Sequence, residues 1–226
     1  MTVGPLVSCC MPTKNPPEMV ERAIRSFVAQ TYPQRELVVV GTHDHLGELG
    51  AKLFEDLLDY AEVCVPAGLS IGELRNIACR RANGSIIAHW DDDDWSHPKR
   101  LEEQVEILTK HFTQSVTGYQ GYYAIDEEKR EAWLFDGRHL DIGKRRWVAG
   151  GTLAYLRGPW ENDNFETSLA YGEDESWEPS YSAHVLAGPN VYVARLHPGN
   201  TSPKAPGTLG WTRVDYDMVA RFMEEK

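Results

Sequence analysis

No apolar run in this 226-residue chain approaches the roughly 18 residues that a membrane-crossing helix requires. The first residues carry no basic stretch followed by an apolar one, so no secretory leader is expected, and Val3 to Met11 reads as a first strand. Basic residues are in deficit. There are 23 Lys and Arg against 34 Asp and Glu, a net charge of −11, which argues against a nonspecific electrostatic grip on nucleic acid. The local exception is Lys144-Arg145-Arg146. Cysteine is scarce too. Cys9, Cys10, Cys64 and Cys79 fall in apolar segments, none with metal-ligand pairing to histidine, and they read as buried free thiols of a cytoplasmic protein. Internal repeats and low-complexity tracts are absent. What remains is ordinary globular composition, 42% apolar and 25% charged, with enough length for one large α/β domain.

Against that background, Asp91-Asp92-Asp93-Asp94-Trp95 stands out. It follows the apolar segment Ser85 to Trp90 and precedes Ser96-His97-Pro98. Four carboxylates at the tip of a buried strand repel one another by an amount on the order of kcal/mol even under surface-like screening. A divalent cation is the simplest explanation, because hard oxygen donors suit magnesium, manganese or calcium. The pattern implies a metal-dependent enzyme acting on a phosphorylated compound.

The first ninety residues alternate strand and helix. Leu6 to Met11, Glu36 to Val40, Ala61 to Val65 and Ser85 to Trp90 read as strands. Asn15 serves as an N-cap with Pro16 at the first helical position, opening a helix that runs to Gln30. Leu46 to Tyr60 carries a helical pattern. Ser70 and Glu73 form a capping box for a helix through Ala82, with Gly84 as its left-handed cap, and Pro98 opens a helix to His111. This alternation predicts a parallel sheet with helices on both faces. The loops Pro12–Asn15, Gly41–Asp44, Pro66–Ser70 and Asp91–Asp94 then lie beyond the carboxyl ends of the strands, where ligands bind such sheets.

After residue 112 the pattern is mixed. Strands are expected over Val116–Ala124, Glu131–Phe135, the end of Trp147–Leu156, and Asn190–Leu196. Helices are expected over Tyr171–His184, short or broken at Pro179, and over Trp211–Glu225. The chain reads as one domain, residues 1–226, with halves meeting near 112 and 113.

Several of these segments together resemble the family 2 glycosyltransferases. They are Val7 to Asn15, Ala23 to Pro33, Leu74-Arg75-Asn76-Ile77-Ala78, Ala82-Asn83-Gly84 and Asp91 to Pro98, in that order. Farther on, Gly150 to Leu153, Gly172-Glu173-Asp174-Glu175 and His197 to Thr201 resemble the family's acceptor-side segments and its C-terminal histidine. The likeness covers roughly residues 5 to 203.

The resemblance implies a GT-A fold: a nucleotide-binding α/β sheet in residues 1–112 and an acceptor-binding, mixed α+β region in residues 113–226. It implies an inverting transfer from a nucleotide-sugar, with a UDP-sugar favoured, assisted by Mn2+ or Mg2+. The family's Asp-x-Asp motif falls on Asp91-Asp92-Asp93. Asp93 is then the direct metal ligand, Asp91 reaches ribose or the metal shell, and His197 completes that shell. Asp92 joins the donor-binding set, or only shapes the turn. Asp174 is the general base for the acceptor hydroxyl, supported by Glu173; alternatively both acids complement a helix N-terminus. Arg75 suits bidentate phosphate contact, and Asn76 ties its helix to nearby loops. Pro12, Thr13 and Asn15 approach the nucleoside. The family's acidic segment after the second strand is replaced here by Gly41-Thr42-His43-Asp44, so Asp44 contacts the base only from a shifted position.

Trp133, Trp147, Trp160 and Trp177 either pack the core or stack on sugar rings. Gly150-Gly151 allows close backbone approach of a ligand. The acceptor default is a saccharide or glycolipid intermediate; a modified DNA base, a peptide or a small metabolite is also compatible. Two other classes stay open. A sugar-phosphate nucleotidyltransferase would want a glycine-rich basic loop where Pro12-Thr13-Lys14-Asn15 stands, and a non-catalytic nucleotide-sugar binding module would not need both Asp93 and Asp174.

Overall fold

The computed structural model describes residues 4–49, 60–110, 116–141, 146–177, 183–186, 188–202 and 204–224. Two sheets carry the site. The larger has seven strands: β1 (Val7–Pro12), β2 (Arg35–Thr42), β3 (Tyr60–Val65), β4 (Ile86–His89), β6 (Val116–Tyr119), β9 (Ala154–Leu156) and β10 (His184–Leu186). Their order is β10-β6-β9-β4-β1-β2-β3. The four strands of the first half are mutually parallel, and β9 runs antiparallel between β4 and β6. The second sheet, β12-β8-β7-β11-β5, is built from β5 (Trp95–Ser96), β7 (Gly121–Asp126), β8 (Glu131–Asp136), β11 (Tyr192–Arg195) and β12 (Trp211–Val214).

Every residue of β1 is buried, as a central parallel strand covered on both faces requires. Its side chains alternate. Cys9 and Met11 pack with Val20, Ile24 and Phe27 of α1 (Pro17–Val28) and with Leu101 and Val105 of α4 (Arg100–Lys110). Cys10 faces the other way, toward Leu74, Ala78 and Cys79 of α3 (Ile71–Arg81). The period-2 strand thus delivers a core to each face.

The capping box of α3 forms as the sequence predicts, with Ser70 accepting from the Glu73 amide and Glu73 accepting from the Ser70 amide. Other local readings are corrected. The N-cap of α1 is Pro16 with no side-chain cap, because the Asn15 side chain is turned onto Asp92. Gly84 is not left-handed. A Cβ there would stand 2.6 Å from the Leu6 carbonyl oxygen and 2.8 Å from the Ser8 amide, so glycine serves the close approach to β1. The run Val116–Ala124 breaks at Gln120 into β6 and β7. Among the described residues of the 171–184 segment the helix is the single turn α6 (Glu173–Ser176), and His184 lies in a strand; residues 178–182 lie outside the described residues. Trp211 opens β12, and the last helix is the shorter α7 (Tyr216–Phe222). Helices α2 (His43–Leu49) and α5 (Arg157–Asn162) complete the description; the remainder of the helical pattern expected to Tyr60 lies outside the described residues. Cys9, Cys10 and Cys79 are buried free thiols, but Cys64 on the edge strand β3 is exposed.

Candidate active site

A cavity of about 660 Å³ lies beyond the ends of β1 and β4, between the two sheets. Asp91 to Asp94 line one side, and Glu173 and Asp174 line another. Pro12 and Asn15 arrive from the β1 loop and Arg75 from α3. The Gly41–Asp44 stretch does not reach it. Asp44 is fully exposed beside His43, and Thr13, 2% exposed, meets His45 at 3.1 Å instead of the cavity.

Each carboxylate of the acidic run meets a different partner. Asp92 braces the first loop: its Oδ2 accepts the amides of Lys14 at 3.0 Å and Asn15 at 3.1 Å, and its Oδ1 accepts Asn15 Nδ2 at 2.8 Å. Asp94 is tied to the second sheet, accepting the Arg195 amide at 2.7 Å and the Tyr192 hydroxyl. Asp91 accepts Arg75 Nη2 at 3.0 Å and the Tyr192 hydroxyl at 3.0 Å. Burial alone would raise the Asp91 carboxyl, yet the Arg75 guanidinium holds it below the usual range.

Asp93 differs from its neighbours. Among the described residues its hydrogen bonds fall on Oδ2, from His197 Nε2 at 2.9 Å, Asn200 Nδ2 at 3.2 Å and Asn15 Nδ2 at 3.4 Å. Burial, then repulsion from Asp94, Asp92 and Asp91, pushes its carboxyl up to about 9, with Lys204 offsetting only part. A nearby cation would remove that penalty. Burial also lowers His197, favouring the neutral ring that ligates metals. Among the described residues no three His, Cys, Asp or Glu side chains could enclose a metal ion by themselves. Asp93 and His197, 2.9 Å apart, are a carboxylate and an imidazole of the kind that could hold a hard divalent ion if phosphate and water supplied the other oxygens.

Arg75 ties the two acidic groups together. Its Nε donates to Glu173 Oε1 at 2.7 Å and its Nη2 to Asp91, with side chains 7% exposed for Arg75 and 4% for Glu173. Nη1 is buried without a hydrogen-bond partner among the described residues. Burial would lower the guanidinium, but Asp91, Glu173 and Asp174 raise it and keep it charged. Asn76, next in sequence, is structural: it bonds Phe165 through both backbone groups and accepts the Trp160 indole at 2.9 Å.

Gly172 at φ 79° turns the chain into α6 without the penalty a side chain would carry. Glu173 goes inward at 3% exposed, and Asp174 lies against the Gly150 turn. One four-residue turn is too short for a helix dipole to account for both acids.

Of the four tryptophans singled out, Trp160 and Trp177 are buried in the core, Trp133 lies outside the cavity lining, and Trp147 lines the cavity with Tyr122, Phe135 and Trp211. Sequence reasoning missed Tyr192, Asn200, Lys204 and Trp211. Only Asn200 carried a signal, through its place in the His197 to Thr201 segment.

Comparison with known proteins gives the family and the fold. Residues 8–160 match the family model described as glycosyl transferase family 2. An uncharacterized glycosyltransferase of Rickettsia typhi is 30% identical over 135 residues, covering 59% of this chain and 41% of the relative. The putative teichuronic acid biosynthesis glycosyltransferase TuaG of Bacillus subtilis is 29% identical over 122 residues, covering 51% of this chain and 47% of the relative. The chain thus spans less than half the length of these two relatives. Among solved structures, S. aureus TarS 1–349 in complex with UDP-GlcNAc superimposes with a TM-score of 0.68 at 18% identity, over 96% of this chain and 65% of that one. Mannosyltransferase PcManGT from Pyrobaculum calidifontis, in complex with GDP-Man and Mn2+, gives 0.65 at 20% identity, over 86% and 57%. At such identities the likeness shows the GT-A type fold.

Proposed function

The chain belongs to glycosyl transferase family 2, and from that premise we propose that it moves a sugar from a nucleotide-sugar to an acceptor hydroxyl with inversion, using a divalent metal ion and Asp174 as general base. The observation that carries the reading is one cavity lined by both the Asp91–Asp94 run and the Glu173-Asp174 pair, joined by Arg75 through 2.7 Å and 3.0 Å hydrogen bonds.

Asp93 and His197 hold the Mn2+ or Mg2+ in this reading, with Asp91 beside them. The ion supplies Lewis-acid stabilisation of the charge that develops on the departing nucleoside diphosphate. Arg75 contributes a fixed positive charge, and its unpartnered Nη1 is the donor left for a phosphate oxygen or sugar hydroxyl. Asp92 holds the loop of Pro12, Thr13 and Asn15 in place along the nucleoside side. Asp174 accepts the acceptor's proton as the new glycosidic bond forms, and Glu173 orients it through the shared Arg75. The aromatic wall of Tyr122, Phe135, Trp147 and Trp211 favours a saccharide-bearing acceptor, a free saccharide or a glycolipid intermediate.

A UDP-sugar is the favoured donor. The relevant test is thermal-shift stabilisation by a panel of UDP-, GDP- and dTDP-sugars with and without Mn2+, followed by measurement of released nucleoside diphosphate. A metal-dependent rise for one nucleotide class supports the reading. No response to any nucleotide-sugar in the presence of metal would sink it.

A further inference from the structure

Gly150 and Gly151 form the first two residues of a single 3-10 turn between the acidic run and Asp174. Neither has a positive φ, so backbone conformation does not require glycine at either position. Space does. A Cβ on Gly150 would stand 1.2 Å from Asp174 Oδ2 and 2.4 Å from its carboxyl carbon. A Cβ on Gly151 would stand 2.3 Å from Asp91 Oδ2 and 2.2 Å from the Tyr192 hydroxyl. Adjacent hydrogens thus face two different carboxylates.

The turn cannot easily retreat, because three buried side chains hold its carbonyls from behind. His89 Nδ1 donates to the Gly150 oxygen at 2.9 Å, Arg100 Nη2 to the Gly151 oxygen at 2.9 Å, and Gln104 Nε2 to the Thr152 oxygen at 2.6 Å. All three side chains are at most 1% exposed. Since a carbonyl can only accept, His89 carries its proton on Nδ1, and burial lowers it well below its ordinary value, keeping the ring neutral. Arg100 also bonds the His89 carbonyl at 2.8 Å, which locks strand, helix and turn together.

We infer that Gly150 and Gly151 are positioning residues for opposite ends of the reaction: Gly150 sets the place of the general base Asp174, and Gly151 sets the place of the donor-side carboxylate Asp91. The inference rests on the glycosyltransferase reading above. In Gly150→Ala the element that yields is the carboxylate end of the Asp174 side chain, while the backbone stays anchored. In Gly151→Ala the displaced groups are Asp91 and the Tyr192 hydroxyl that also bonds Asp94.

The experiment compares wild type, G150A, G151A, D174N and the double variant G150A/D174N, in Mn2+ with the nucleotide-sugar that stabilises the wild type. Donor dissociation constants come from thermal shift or titration, and kcat from nucleoside diphosphate release, with water as acceptor if no sugar acceptor is in hand. Misplacing a reacting group by ~1 Å can cost ~100-fold, so G150A should lose about that much kcat with its donor dissociation constant within about twofold of wild type. G151A should weaken donor binding by tenfold or more. G150A/D174N should be no slower than D174N, because a displaced base and an absent base fail at the same step. Unchanged kcat in G150A overturns the inference, as does a further loss in the double variant or the same profile for both alanine variants. Failure of G150A to fold overturns it also, since the carboxylate and not the backbone is required to yield. If the wild type neither binds nor turns over any nucleotide-sugar, the functional reading fails and this inference falls with it, an outcome distinct from a failure in the variants alone.

Discussion

In the half built on the seven-stranded sheet, four consecutive residues after one strand send their carboxylates to four different places: Asp91 to Arg75, Asp92 to the β1 loop, Asp93 to His197, and Asp94 to Arg195. In the other half the groups facing them come one at a time from separate elements: Gly150 from a 3-10 turn, Asp174 from a four-residue helix, Tyr192 from β11 and His197 from the loop beyond it. The first half concentrates chemistry in one segment at the ends of parallel strands. The second assembles it by tertiary contact. A contiguous run therefore need not be a functional unit, and scattered residues can be one. Asp92 and Asp94 are occupied in holding other segments, whereas the Asp93 carboxyl, buried among the other acids, is pushed up to about 9, its ionised form disfavoured.

Substitutions within the run should break it into unlike members. Asp93→Ala carries the largest expected effect, loss of Mn2+-dependent donor stabilisation together with transfer reduced by about 10³-fold, the upper end of what removing one electrostatic group costs. In EDTA the same variant should melt no lower than wild type, because it removes a carboxylate that burial and neighbouring acids disfavour. Parallel melting curves in metal and in EDTA would decide this; a large destabilisation of the metal-free variant contradicts it.

Asp174→Asn tests the opposite wall. Its kcat should fall by about 10²–10⁴-fold, the usual contribution of a general base, with donor binding unchanged in titration. Equal loss of both would make Asp174 a structural residue. Arg75→Met spans the comparison, because it strips the partner from the buried Glu173. Breaking a buried pair costs about 3–5 kcal/mol, and chemical denaturation should show a loss in that range.

Asp92→Ala should lower stability by about 1–3 kcal/mol through loop amides left unsatisfied, with kcat affected less than in Asp93→Ala. Equal kinetic loss at both positions would erase the distinction drawn here. The smallest effect is expected at Glu36, far from the cavity. Burial tends to raise its carboxyl, but hydrogen bonds from Ser8 and Asn83 hold it below the ordinary glutamate value. A depressed acid stabilises the fold above its unfolded pKa, and that contribution is lost as pH falls through the folded value. Below about pH 4.5 the wild type should therefore lose stability more steeply than Glu36→Gln, as read from melting temperature between pH 6 and 3.

Much of the first half is legible in the chain because its signals are local. Apolar runs bounded by Pro and Gly give the strands, and Ser70 with Glu73 gives a cap that forms as read. The misreadings there are also informative. Asn15 looks like an N-cap and Gly84 like a helix stop, but a long-range partner claims each: Asp92 for the first, and the backbone of Leu6 and Ser8 for the second. In the second half short strands join distant segments, so periodicity carries little. Trp211 fits a terminal helix by pattern, yet pairs with Phe135 across two strands. Asp44, read as contacting the base from a shifted position, is exposed on α2 and lies outside the cavity lining.

By itself the sequence determined the parallel core and marked the acids that carry the functional argument, because hydrophobic period, caps and a four-residue acidic tract are properties of neighbouring residues; the family entered through the resemblance of its ordered segments. Only the tertiary structure decided which acid is left with a disfavoured ionised form, which acids are used up as braces, and how little room stands beside residues 150 and 151. Those outcomes depend on which distant donor reaches each oxygen and on how much room is left between two carboxylates, and no local pattern encodes either.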